Sequence, residues 1–271
     1  MKKCRKTFRT VLRHIAYGAS SFVVWLTGKR KKSKYIVKQL KNKYAGKRCF
    51  VIGNGPSLTA ADLDLLKNEI TFASNRVYKM FDQTDWRPTY YAIIDESVAR
   101  SADMDKINTM HCEQKFFRAQ GWYAYRKIKN ACYIHSWHAR KYLDTPAFSE
   151  DVEKGWYTIA TVTYAMLQLA KYMGFSEIYM LGMDHKYAVE RTKDGSVVEN
   201  KGVKSYFGKA EKSESNVVGS TWESDIAYQY AEEYSRKNGF RIYNATRGGF
   251  LEVYERVNLD DVLNGATISQ K

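Results

Sequence analysis

Three prolines, four cysteines and no apolar run near twenty residues are what this 271-residue chain has little of. The scarcity of proline, with 44% hydrophobic and 14% aromatic residues, excludes a disordered or low-complexity chain. Cys4, Cys49, Cys112 and Cys132 show no paired spacing. That excludes a disulfide framework and points to a reducing compartment. "CYIHSWH" sets Cys132, His135 and His138 three apart, but no fourth ligand lies nearby. A half-buried strand explains the alternation equally well, so no metal is assigned.

Acidic residues are missing altogether from positions 1–48, which hold 16 of the 44 Lys and Arg. The remaining 223 residues carry 28 basic and 29 acidic side chains, so the net charge of +15 belongs to the N-terminal arm. A neutral folded part without a clustered basic run argues against a nucleic-acid partner. Within the arm, Ile15 to Gly28 is apolar and flanked by Arg5, Lys6, Arg9 and Arg13 on one side and "KRKK" (29–32) on the other. Fourteen residues are short for a span, which needs about 20. Basic residues follow, where a signal peptide would have a small-residue cleavage site. The expectation is a helix lying in the plane of an anionic membrane surface, with Phe22, Val23, Val24, Trp25 and Leu26 in lipid. Residues 1–45 then form a membrane-associating arm, 46–271 one catalytic domain, and the location is the cytoplasmic face of the inner or plasma membrane, held peripherally.

Strand-like runs occur at 49–53, 70–75, 90–95, 115–119, 131–135, 177–184 and 240–246, with helical patterns at 60–68, 97–109, 159–173 and 224–238. The helix over 224–238 is expected to open on Ser224 or Asp225 and to close on Gly239. This alternation predicts an α/β fold with a doubly wound, mostly parallel sheet. In such sheets ligands bind beyond the carboxyl ends of the strands. Those ends read Asn54-Gly55-Pro56-Ser57, Asn75-Arg76, Asp95-Glu96, Gly182-Met183-Asp184-His185 and Asn244-Ala245-Thr246-Arg247. Their convergence on one edge is the physical argument for a site.

The first loop, "GNGPSL", has neither the Lys-Ser/Thr of a P-loop nor the third glycine of the dinucleotide fingerprint. Gly53 and Gly55 would permit positive φ and close approach of backbone to ligand. Pro56 suits a first helical turn and Ser57 can hydrogen-bond there or to a ligand. The helix start beyond them would seat an anion, and the Asn54 amide can donate to a phosphate or accept from a ribose or base.

"VIGNGPSL", "FASN", "MGFSEIYMLGMD", "GSTWESDI" and "IYNAT", in that order over about 48–250, resemble the bacterial sialyltransferases of glycosyltransferase family 42 and the related MptE-like Rossmann proteins. The latter include motility-accessory glycosyltransferases and an archaeal pterin pyrophosphokinase. The resemblance implies a Rossmann-like variant of the GT-A fold. It implies that Asn54 and Asn75 bind a CMP donor near its phosphate, that Thr161 and Thr163 contact the nucleotide, and that Gly182 and Asp184 hold the nucleoside. Tyr187 lies one residue beyond the family's phosphate-binding tyrosine. The family's catalytic histidine falls at Gly219-Ser220, and Ser220 cannot serve as a general base near neutral pH unaided. His185, oriented by its neighbour Asp184, is the substitute favoured by position, with Asp95 and Glu223 as further candidates.

The polar stretch 186–223 is expected to be a lid, with Lys204, Tyr206, Lys209 and Lys212 meeting a phosphate or an acidic acceptor. Arg247 can clamp a phosphate or carboxylate, or form a structural ion pair. The function implied is transfer of a sugar from a CMP- or other nucleotide-activated donor to a glycan or lipid-linked acceptor of the cell envelope, with no cofactor required. Two alternatives stand beside it: an MptE-like pyrophosphokinase using ATP and Mg²⁺ held by Asp95 and Asp184, and a non-catalytic, membrane-tethered binding protein. A homo-oligomer is left open.

Overall fold

The computed structural model describes residues 15–137, 141–206 and 218–265. Cys4, His138, Lys209, Lys212 and the arm's first fourteen residues lie outside them.

Eight strands form one all-parallel sheet: β1 (Arg48–Ile52), β2 (Thr71–Ser74), β3 (Tyr90–Ile93), β4 (Gln114–Arg118), β5 (Ala131–Ile134), β8 (Glu177–Leu181), β11 (Arg241–Asn244) and β12 (Glu255–Arg256). Two small pairs stand apart: β6 (Ser136–Trp137) with β7 (Trp156–Tyr157), and the hairpin β9 (Val189–Arg191) with β10 (Val197–Glu199). The order β12-β11-β8-β1-β2-β3-β4-β5 runs outward from β1 to β5, then returns beside β1 at β8. The topological switch point therefore lies between β1 and β8, where a doubly wound sheet opens a crevice at its carboxyl edge. β1 to β4 are buried almost throughout, as expected of strands covered on both faces.

The helices are α1 (15–26), α2 (Lys29–Leu40), α3 (Ala60–Leu65), α4 (Glu96–Ser101), α5 (Met104–Thr109), α6 (Trp122–Tyr125), α7 (Lys141–Asp144), α8 (Val162–Tyr172), α9 (Thr221–Lys237) and α10 (Leu259–Leu263). One core layer joins Phe72, Phe116 and Trp156 to α8 and to Tyr228 of α9. The other joins Phe50, Tyr91 and Phe117 to Leu63, Ile107 and Val262. All seven expected central strands are present. The pattern at 97–109 divides into two short helices, because Ala102 is extended and Asp103 starts a new one by accepting from the Asp105 and Lys106 amides.

The expected boundary at residue 45 does not separate a free arm. Val37 and Leu40 of α2 belong to the core, and Ser33 Oγ accepts the Tyr133 backbone N–H at 2.8 Å. Tyr133 lies on β5, the last strand of the sheet, so α2 seals an edge that would otherwise offer unpaired donors. Val24 of α1 is likewise buried rather than free for lipid. Cys132 sits in the core and its thiol faces the Ser33 carbonyl, whereas exposed His135 meets Gln120, so strand alternation holds the two apart. Burial pushes the Cys132 thiol up to about 12.

Candidate functional site

At the carboxyl edge of β1, β2 and β8 a cleft open to solvent is lined by three loops. The first brings Gly53, Asn54 and Gly55; the second, Ser74 and Asn75; the third, Gly182 through Tyr187. Thr161, Thr163 and Tyr228 close one side, and Ser205 and Tyr206 reach in from the segment after the hairpin.

The glycines of the first loop act differently from the expectation. Neither Gly53 nor Gly55 has a positive φ. A Cβ on Gly53 would stand 2.2 Å from the Gly182 carbonyl oxygen, and one on Gly55 would stand 1.8 Å from Asp184 Oδ2. They let the loop dock on the β8 turn, with the Gly53 N–H donating to Leu181 O at 2.7 Å and the Gly55 N–H to Gly182 O at 2.9 Å. Positive φ falls instead on Gly182, at 70°.

Nor does a helix begin directly after the loop. α3 begins at Ala60 behind a capping box between Thr59 and Asp62, so its amides are satisfied and Pro56 precedes the helix. Ser57 is engaged within the protein: its Oγ donates to Asp184 Oδ2 at 2.7 Å and its N–H to Oδ1 at 3.2 Å. Asp184 thus fastens the first loop to the third.

Asn54 Nδ2 donates to the Ser74 carbonyl at 3.2 Å, which fixes the amide's orientation and leaves Oδ1 buried with no partner among the described residues. Asn75 Oδ1 is in the same state. Asn75 has a left-handed backbone, φ 52°, pinned by the Tyr91 hydroxyl donating to its carbonyl. Two orphaned acceptors on residues that line one cleft could accept from a ligand carrying N–H or O–H donors, such as ribose hydroxyls or a base amine. A phosphate offers neither. Strained backbone and unsatisfied polar atoms cluster where binding repays them.

His185 also has positive φ, 56°, and its Nε2 lies 2.7 Å from Asp225 Oδ1 on α9. The orienting carboxylate is therefore Asp225 and not Asp184. With Nε2–H donated to Asp225, Nδ1 is left as the basic nitrogen. Tyr228, one turn along α9, packs its ring 5.7 Å from the imidazole. Its phenol meets Thr161 and Thr163, and burial raises its pKa.

Gly53, Asn54, Gly55, Asn75, Thr161, Thr163, Gly182, Asp184, His185 and Tyr187 all line the cleft. Eight expected residues do not, Glu223 in the first turn of α9 among them. Pro56 and Ser57 are not among its lining residues. Arg76 is fully buried and donates to Ser101 Oγ at 2.8 Å. Asp95 is exposed and caps α4 by accepting from the Ser97 amide at 2.7 Å. Arg247 pairs with Asp62 at 2.8 Å and Asp260 at 3.4 Å, the structural ion pair of its two readings. Ser220 is the N-cap residue of α9, which starts at Thr221, ahead of the expected opening on Ser224 or Asp225. The segment 186–223 is not wholly irregular, since β9 and β10 pair within it and Lys204 is exposed away from the cleft lining. Asp225, Tyr228 and Lys186 were not among the residues the sequence singled out. Lys186 is the one lysine or arginine lining the cleft among the described residues, with Nζ 4.5 Å from the Phe250 ring centroid. The "MDHK" run was its only sequence signal.

A family model described as 6-hydroxymethylpterin diphosphokinase MptE-like matches residues 28–190, more than half of the chain. None of the curated proteins matches the sequence. The MAf glycosyltransferase from Magnetospirillum magneticum AMB-1 superposes with a TM-score of 0.50 at 13% identity over 81% of this chain, which spans only 35% of that protein. The sialyltransferase CstII from Campylobacter jejuni, solved with the substrate analogue cytidine-5'-monophosphate, gives 0.47 at 15% identity, covering 79% of this chain and 85% of that one. The likeness to the former is one of fold, a glycosyltransferase-like Rossmann architecture.

Proposed function

Because the chain belongs to the 6-hydroxymethylpterin diphosphokinase MptE-like family, we propose that its cleft binds the nucleotide of an activated sugar and transfers the sugar to a hydroxyl acceptor. The observation that carries this reading is the pair of orphaned carbonyl oxygens on Asn54 and Asn75 beside a His185–Asp225 pair. The motif resemblance makes CMP the favoured nucleotide, whose ribose hydroxyls and cytosine amine would supply the missing donors. Lys186 would offset charge on the departing phosphate. His185 Nδ1 would take the proton from the acceptor hydroxyl as its oxygen bonds to the anomeric carbon, while the bond from that carbon to the phosphate oxygen breaks and CMP leaves. Asp225 is a positioning residue that holds the imidazole tautomer. The acceptor is a glycan or lipid-linked glycan of the envelope.

Phosphoryl transfer is the second reading, favoured by the description of the family model. Its Mg²⁺ would call on Asp95 and Asp184, but one caps α4 in solvent while the other is engaged by Ser57. Among the described residues no three His, Cys, Asp or Glu side chains gather to hold a metal. Neither carboxylate stands free at the cleft to hold a resident ion.

The test is thermal stabilisation by CMP, then release of CMP from a CMP-sugar with and without a glycan acceptor. His185→Ala should abolish turnover yet keep the stabilisation. Retained turnover would remove His185 from its role. Stabilisation by ATP with Mg²⁺ alone would favour phosphoryl transfer.

A further inference from the structure

Helix α1 is built inside out. Ser20 and Val24 form its buried side. Ile15, Phe22, Trp25 and Leu26, spaced by seven, then three and four residues, form a single stripe that is 57–65% exposed. Phe22 and Trp25 lie together there, ring centroids 5.8 Å apart. A helix of a soluble domain turns such a stripe to its core. At 1.5 Å per residue, its twelve residues reach about 18 Å against a hydrocarbon core of about 30 Å, and no described helix is long and apolar enough to cross a membrane.

Gly28, at φ 68°, turns the chain at once into α2, whose first residues Lys29, Arg30, Lys31 and Lys32 are exposed. Lys29 and Lys32 line a groove together with Arg126 and Lys129, which come from the turn between α6 and β5. No acidic side chain lines this groove, and none of the four cations has an ion-pair partner among the described residues. Two separate stretches of sequence thus concentrate positive charge three residues beyond the end of the apolar stripe. Fixed positive charge next to unpartnered aromatic and aliphatic side chains matches a surface that is anionic outside and apolar beneath.

We infer that α1 and the groove of Lys29, Lys32, Arg126 and Lys129 form a docking face for an anionic lipid bilayer. The four apolar side chains of α1 enter the headgroup boundary, and the groove receives lipid phosphates. This inference stands apart from the reading of the cleft, whose residues it does not use.

Co-sedimentation of the full chain with vesicles tests it. Binding to phosphatidylcholine vesicles containing 30 mol% phosphatidylglycerol should exceed binding to phosphatidylcholine alone at least tenfold, and should weaken as salt rises. Arg126→Glu/Lys129→Glu, remote in sequence from the arm, should lower it at least tenfold. Phe22→Ser/Trp25→Ser should do the same. These residues are exposed, so an unchanged melting temperature serves as the folding control. Equal binding to neutral vesicles, no vesicle binding, or unchanged binding by either double variant would overturn the inference. So would a chain that ignores vesicles but retains single-stranded RNA through the same cations.

Discussion

Replacing Gly55 by alanine should damage this protein through one named collision. The new methyl carbon would lie 1.8 Å from Asp184 Oδ2, 2.6 Å from its Cγ and 2.8 Å from the Gly182 carbonyl oxygen. The carboxylate cannot simply swing away, because Ser57 holds it through both its hydroxyl and its amide. Overpacking of this kind costs about 1–3 kcal/mol, and at about 2–4 °C per kcal/mol for a domain of this size the melting temperature should fall by roughly 2–12 °C. Asp184→Ala removes two of the three colliding atoms but forfeits charge-assisted hydrogen bonds worth about 1.5–3 kcal/mol. The double variant should therefore be more stable than the sum of the single effects predicts, with a coupling of about 1 kcal/mol or more. Urea unfolding of the four proteins measures it. Strict additivity, or a Gly55→Ala protein as stable as the wild type, would refute the docking of the first loop on the β8 turn.

Three further outcomes rest on particular contacts. Asp225→Asn should keep the fold but lower turnover about 10–100-fold, the loss of a hydrogen bond to a charged group. Asp225→Glu should recover part of that rate, and the pH–rate profile should shift, which a purely structural role would not produce. Glu96→Ala should destabilise by about 3 kcal/mol, because it leaves the buried Arg118 guanidinium, 2.6 Å away, without its counter-ion; thermal unfolding reads this. Burial pushes the Glu113 carboxyl up, but hydrogen bonds from Lys43 and Tyr90 outweigh it and hold the pKa below the ordinary value. Its contribution is therefore present above the unfolded-state pKa and lost as the pH falls through the folded one. Glu113→Gln should flatten the decline in melting temperature below about pH 4.5 relative to wild type.

The sheet was legible because its strands are short, continuous apolar runs broken by glycine and asparagine, a pattern that depends on local sequence alone. Seven such runs became the seven central strands, and the residues at their carboxyl ends placed Asn54, Asn75, Gly182 and His185 at one edge. What the sequence hid was nonlocal. Asp225 meets His185 across forty residues, and nothing near either marks the other. Gly55 looked like a source of conformational freedom, whereas its missing Cβ makes room for a side chain from the β8 turn. Asp95, Arg76 and Arg247 have the chemistry of a site, yet each is engaged by a neighbouring cap, hydroxyl or carboxylate. The arm's charge suggested a detached segment; that Ser33 would satisfy the edge of β5 depends on pairing visible only in three dimensions. α9 begins before Ser224, at Thr221, and its N-cap Ser220 makes no side-chain cap bond, so no capping signal marked the start in the sequence.

The central claim is that the cleft at β1, β2 and β8 receives a nucleoside through the carbonyl oxygens of Asn54 and Asn75. Calorimetric titration with CMP, without metal, against the wild type and Asn54→Ala tests it most directly. The account predicts saturable binding by the wild type at a stoichiometry of about one, weakened at least tenfold in the variant, a loss of about 1.4 kcal/mol. Equal binding by both proteins, or no binding of CMP under any metal condition, would contradict it.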